Sequence, residues 1–126
     1  MSEGTEASRE VTLHQVGDPR VDQLRIFAED GPGPGGANHE YWVYVGDEPL
    51  DIHRFQKGPV CEAGVNGETN EALLAIVADR LQCFQSGPMP CRENALALTK
   101  IEEALHWLHT RTRRSLAAGV EGRGKP

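Results

Sequence analysis

No run in this chain approaches ~18 consecutive apolar residues, so no stretch is suited to cross a bilayer as a helix. The start, Met1 to Glu10, is polar and acidic without an apolar leader core, and the expectation is a soluble, intracellular protein. Cysteine is scarce. Cys61, Cys83 and Cys91 are an odd count without Cys-x-x-Cys spacing, which argues against a disulfide framework. They read as reduced thiols behaving as small buried apolar residues, with Cys83 and Cys91 flanking a turn where they could face each other. An excess of positive charge is also missing, with 13 basic residues against 19 acidic ones and a formal charge of −6. That disfavours a nucleic-acid polymer as partner, because a phosphate backbone rewards a broad positive surface.

Catalytic signatures are absent as well. There is no Gly-x-Ser-x-Gly, no Walker loop and no Cys/His dyad signature. A two-histidine phosphoesterase needs His-x-Ser/Thr pairs, each hydroxyl sitting beside a proton-shuttling imidazole. Two places after His14, His39, His53, His106 and His109 stand Val16, Tyr41, Phe55, Leu108 and Arg111, so that class is disfavoured. His106 and His109 share helical spacing but lack a third metal ligand at suitable distance, and an exposed pair is the simpler reading. Glu102 and Glu103 are adjacent and so lie on different helical faces, a poor acid/base pair. Gly31-x-Gly33-x-x-Gly36 matches a dinucleotide fingerprint in letters only. That motif needs a helix N-terminus after its glycines, and here Pro32 and Pro34 interrupt the loop and a strand pattern follows. No cofactor, metal or enzymatic activity is implied.

What is present is organised in two halves, within a length suited to one domain. Residues 1–20 read as a flexible N-terminus, with residues 1 to about 10 rich in Ser, Glu, Gly and Thr. Residues 21–66 read as β-rich. Leu24 to Ala28 alternates, and Tyr41 to Val45 is aromatic or β-branched throughout and expected to be covered on both faces. Asp30 to Asn38 reads as a flexible loop. Ile52–Phe55 and Val60–Ala63 flank Gln56-Lys57-Gly58-Pro59 as a hairpin. Residues 67–126 read as a helical hairpin with a basic C-terminal segment. Its first helix, Thr69 to about Gln85, is capped by Thr69 and carries Leu73, Ile76, Val77, Leu81 and Phe84 on one face. Gly87-Pro88-Met89-Pro90 breaks it. The second helix, Cys91 to about Ser115, has a seam of Ala95, Leu98, Ile101, Leu105 and Leu108. The fold class is therefore α+β: a small antiparallel sheet followed by an antiparallel two-helix hairpin. Leu74, Trp107 and Leu116 fall off the seams, and unburied side chains of that kind favour self-association.

The charge is concentrated. Arg111, Arg113, Arg114, Arg123 and Lys125 face Glu121 alone in the last sixteen residues of an otherwise acidic chain. A focal basic site on an acidic body favours a small anion, and also suits docking of oppositely charged subunits. At the other end of the hairpin, near its turn, stand Phe84 and Asn94. A ring face and an amide together hold a purine by stacking and edge hydrogen bonds. Equally plain readings are core packing for Phe84 and a helix-start polar residue for Asn94. On one subunit these two lie a helix length from the arginines, roughly 30 Å for twenty residues. A site using both ends therefore needs a second, antiparallel hairpin.

One family carries the same run of residues. It comprises Phe55-Gln56-Lys57-Gly58-Pro59, Gly64-Val65-Asn66-Gly67, Glu71 to Val77, Asp79-Arg80-Leu81, Phe84-Gln85-x-Gly87-Pro88 and Cys91-Arg92-Glu93-Asn94. It continues through Ile101 to Leu105, Trp107-Leu108, Arg111-Thr112-Arg113 and Gly119-Val120-Glu121-Gly122. The chain closely resembles the phage-encoded helical-hairpin family of immune-signal sponges. Its Thoeris anti-defence branch has a β-rich N-terminal part, and its anti-CBASS branch is mostly hairpin. The match is dense over residues 55–122 and looser over 21–54. The resemblance implies a phage protein of the host bacterial cytoplasm that sequesters cyclic nucleotide signals without cleaving them. These would be glycocyclic ADP-ribose from Thoeris TIR enzymes and, at a separate site, cyclic trinucleotides of CBASS, within a homohexamer built as a trimer of dimers. It places Phe84, Asn94, Arg111 and Arg113 at the cyclic ADP-ribose site. It places Arg114, Val120, Glu121, Gly122 and Arg123 at the trinucleotide site. The chain departs from the family pattern at Ser115, where arginine is usual, and at Arg123, where threonine is usual. The competing reading is a phage structural or assembly protein that uses the hairpin only to oligomerise.

Overall fold

The computed structural model describes residues 8–119, which form two compact units meeting at Lys57 and Gly58. The first unit is a four-stranded antiparallel meander, β1 Arg9–Val11, β2 Leu24–Ala28, β3 Glu40–Val45 and β4 Glu48–Arg54, ordered β1-β2-β3-β4. Its register pairs Phe27 with Trp42 and Arg25 with Tyr44. These side chains share one face, because alternate residues of a strand point the same way. Phe27 and Tyr44 are buried there and meet edge to face at 5.8 Å, while Trp42 stacks on Tyr44 at 6.1 Å. The Arg25 guanidinium lies 5.0 Å from the Phe27 ring and pairs with Glu10 across the strands. Between β3 and β4 the pairing skips Leu50, a bulge next to Pro49, and β4 is an edge strand where proline's missing N–H is tolerated.

Several features of this unit depart from the sequence reading. The segment expected as a flexible N-terminus contributes β1, whose ladder partners Ala28, Phe27 and Ile26 supply the hydrogen bonding that local composition could not reveal. The residues after it are tied down by Asp22, whose carboxylate accepts from the backbone N–H groups of Val16, Gly17 and Asp18. The glycine- and proline-rich loop after β2 is likewise closed. The Asp30 carboxylate accepts from the N–H groups of His39 and Glu40, the Asn38 amide reaches the Asp30 carbonyl, and Gly33 N–H bonds Ala37 O at 2.8 Å. Tyr41, Trp42 and Val43 are half-buried rather than covered on both faces.

The second unit contains α1 Val60–Ala63, α2 Asn70–Ser86 and α3 Arg92–Ala117. Val60–Ala63, expected as the second strand of a hairpin, is a single helical turn. Pro59, in extended conformation, precedes it without a side-chain cap, and the turn closes through Gly64 N–H to Val60 O at 2.9 Å. Gly64 has φ 72°, a conformation costly for any residue with a Cβ, so the turn stops there. The hairpin itself is as expected. Thr69 caps α2 by accepting from Ala72 N–H at 3.1 Å, and α2 packs along α3.

The inward face of α2 differs from the expected one. Glu71, Leu73, Leu74, Ala78, Leu81 and Gln85 are the half-buried positions, while Ile76, Val77 and Phe84 are exposed. Leu74, thought to fall off the seam, is on it. The α2 sequence is apolar on two sides, so periodicity alone could not say which side meets α3. On α3 the seam of Ala95, Leu98, Ile101, Leu105 and Leu108 is half-buried, and Trp107 and Leu116 are exposed as the pattern indicates.

Candidate functional site

Between α2 and α3 the chain reverses within five residues, and the reversal is built from specific contacts. Gly87 is closely approached, since a Cβ there would stand 3.2 Å from the Cys83 carbonyl oxygen in the last turn of α2. The Gln85 Oε1 accepts from Cys91 N–H at 3.0 Å, tying the end of α2 to the start of α3. Cys91 in turn caps α3, its Sγ accepting from Asn94 N–H at 3.4 Å. A clasp of Gln85 and Cys91 thus fixes the first turn of α3, where Asn94 sits, against the last turn of α2, where Phe84 sits. Cys91 and Cys83 are both exposed, as is Cys61, so the expectation of buried thiols fails: one serves as a cap and Cys83 points toward Asp79 at 3.9 Å.

Beside this turn lies an open cleft of about 400 Å³ lined by Asp79, Arg80, Cys83, Phe84, Gly87, Pro88 and Met89. Phe84 is 48% exposed, so its ring is one wall of the cleft and not part of the hairpin core. That removes Phe84 from the core of the hairpin. Met89, also lining the cleft, is an exposed, flexible apolar side chain. The Arg80 guanidinium stands 5.7 Å from the Phe84 ring centroid, a cation held near a ring face. Sequence reasoning missed Arg80. The signal was available in its spacing, four residues before Phe84 on the same helical face. Asn94 is half-buried at the start of α3 and lies outside the residues lining the cleft.

The arginines are elsewhere. Arg111, Arg113 and Arg114 are exposed in the last turns of α3, and among the described residues none of them forms an ion pair. Seventeen residues of helix separate Asn94 from Arg111, roughly 25 Å along the axis. One hairpin therefore does not bring the four residues of the expected cyclic ADP-ribose site together. Ser115 is buried, so the position where the family pattern has arginine faces inward, and Arg114 is rotated about 100° from it. Val120, Glu121, Gly122 and Arg123 lie outside the described residues. Among the described residues no cluster of His, Cys, Asp or Glu is arranged to hold a metal ion, and no helix is long and apolar enough to cross a membrane.

Known proteins share the hairpin. Residues 50–113, which contain α1, α2 and most of α3, match the family described as Acb2/Tad1, hairpin domain. The chain is also 46% identical over 107 residues to a protein of Bacillus phage SBSphiJ7 named Thoeris anti-defense 1. The aligned region covers 85% of this chain and 72% of that protein.

Proposed function

The chain belongs to the Acb2/Tad1 hairpin family, and from that premise we propose that it is a phage anti-defence sponge acting in the host bacterial cytoplasm. It binds a cyclic nucleotide signal of bacterial immunity and withholds it without cleavage. The similarity to Thoeris anti-defense 1 supports glycocyclic ADP-ribose as the principal ligand. The observation that carries the reading is the exposure of Phe84. A phenylalanine half open to solvent on the wall of an apolar cleft, at the position the family resemblance assigns to ligand, is suited to stack on a base.

Binding by this design is composite. The Phe84 cleft and Asn94 at the turn end of one hairpin meet Arg111 and Arg113 from the end of another. The planar guanidinium groups grip the diphosphate by paired, charge-assisted hydrogen bonds. The exposed Ile76, Val77, Trp107 and Leu116 supply apolar surface for the subunit contacts, within a homohexamer built as a trimer of dimers. A separate cyclic trinucleotide site is assigned to Arg114 with Val120, Glu121, Gly122 and Arg123. Gly119 and Gly122 would let backbone amides approach phosphates closely there.

Calorimetry against cyclic ADP-ribose isomers and cyclic trinucleotides tests the reading, followed by heating the complex and recovering the small molecule. Saturable binding with the ligand released intact is expected. Released fragments would make the protein an enzyme, and no binding to either class would leave oligomerisation as the hairpin's role.

A further inference from the structure

Of the residues lining the Phe84 cleft, Arg80 is the one that carries a positive charge. Its guanidinium lies 5.7 Å from the ring centroid, close enough to be held near the ring. It is exposed, and among the described residues it forms no ion pair, so its five N–H donors are not committed to a carboxylate. The rest of the lining is mainly apolar, from Cys83, Phe84, Pro88 and Met89. Asp79, the one acidic lining residue, accepts from the Cys83 thiol at 3.9 Å. An uncommitted cation over one side of an aromatic ring suits a nucleotide: base on the ring's other face, phosphate on the cation.

We infer that Arg80 is a ligand-binding residue that engages a phosphate of the nucleotide whose base stacks on Phe84, so that base and phosphate are read by one face of α2. This rests on the proposed function and adds a residue of the same hairpin to the arginines brought by the other. The i,i+4 spacing places both groups on one face about one helical turn, roughly 5–6 Å, apart. Phosphate attached through a ribose to a stacked base falls within that reach. Arg80 therefore gives selectivity for a phosphorylated ligand over an uncharged nucleoside.

Calorimetry with cyclic ADP-ribose isomers on the full chain tests this, comparing the unaltered protein with Arg80→Met, Arg80→Lys and Arg80→Ala. Arg80→Met keeps a long side chain against Phe84 but removes the charge and the donors. It should weaken binding about 10- to 100-fold, the range for a lost charge-assisted hydrogen bond, with a flatter dependence of affinity on salt. Arg80→Lys should retain part of the affinity, and the melting temperature without ligand should be unchanged in all three. Affinity of Arg80→Met equal to that of the unaltered protein would overturn the inference, because Arg80 would then serve only to prop the ring. A loss with undiminished salt dependence would overturn it too. Failure of the unaltered protein to bind any cyclic ADP-ribose isomer would instead remove the functional reading on which it rests.

Discussion

Phe84 and Asn94 differ in what their environments permit. Phe84 is half exposed and contributes little to the packing between α2 and α3, so Phe84→Ala should leave the fold intact. It should cost about ten- to hundredfold in cyclic ADP-ribose affinity, the usual worth of one lost stacking contact. Unfolding of Phe84→Ala in a thermal melt, without a specific binding defect, would return the residue to the core. Asn94→Ala should weaken binding with the same intact fold, since the cap of α3 uses only the Asn94 backbone N–H. At Arg111 the separating exchange is Arg→Lys. A residue that only complements the helix dipole needs a positive charge and survives the swap, whereas a bidentate phosphate clamp does not. Affinity for cyclic ADP-ribose should therefore fall in Arg111→Lys while the ligand-free melting temperature holds.

Elements in this protein are held at their ends more than by large cores, and their ends are where substitutions should tell. The Gln85–Cys91 clasp sets the turn between α2 and α3. Cys91→Ala removes the cap on Asn94 N–H and should destabilise the protein by about 1 kcal/mol, whereas Cys91→Ser, a stronger cap, should hold or raise the melting temperature. In the sheet unit the corresponding anchor is Asp30. Burial works against its ionisation, but the N–H groups of His39 and Glu40 and the Asn38 side chain outweigh this and hold the carboxyl below its ordinary range. The sign follows. A depressed folded-state value means stability fully present above the ordinary carboxylate range and lost as pH falls through the folded value. Melts taken as pH is lowered should thus fall on the acid side, and Asp30→Asn should flatten that fall while costing about 1–2 kcal/mol near neutrality.

At the scale of the whole molecule the hairpin leaves Ile76, Val77, Phe84, Trp107 and Leu116 exposed, with Trp107 at 68%. Exposed apolar side chains in that number agree with self-association, and the separation of Phe84 from Arg111 makes a second copy part of any composite site. Light scattering at micromolar concentration should report an oligomer, and a monomer there would remove the shared-site proposal. The two proposed ligand sites should also separate. Gly122→Val should abolish cyclic trinucleotide binding and spare cyclic ADP-ribose binding, while equal loss of both would leave one site only.

The sequence by itself determined that a small sheet precedes a helical hairpin, and nearly where the two long helices begin and end. Thr69, Cys91 and the Gly87-Pro88-Met89-Pro90 breaker act on their immediate neighbours, and local signals of that kind are complete in the chain. The β-rich half, the α3 seam and the location of Phe84 and Asn94 at the turn were legible for the same reason. Tertiary structure alone decided the rest. Arg9–Val11 is a strand only because β2 pairs with it, and a three-residue polar strand has no pattern of its own. Val60–Ala63 is apolar enough for either state, and the positive φ of Gly64 settles it as a helical turn. The face of α2 that meets α3 could not be read from a helix apolar on both sides, and neither could the consequence that matters most. Packing turned Leu74 inward and Phe84 outward, and an outward Phe84 keeps ring surface open to solvent.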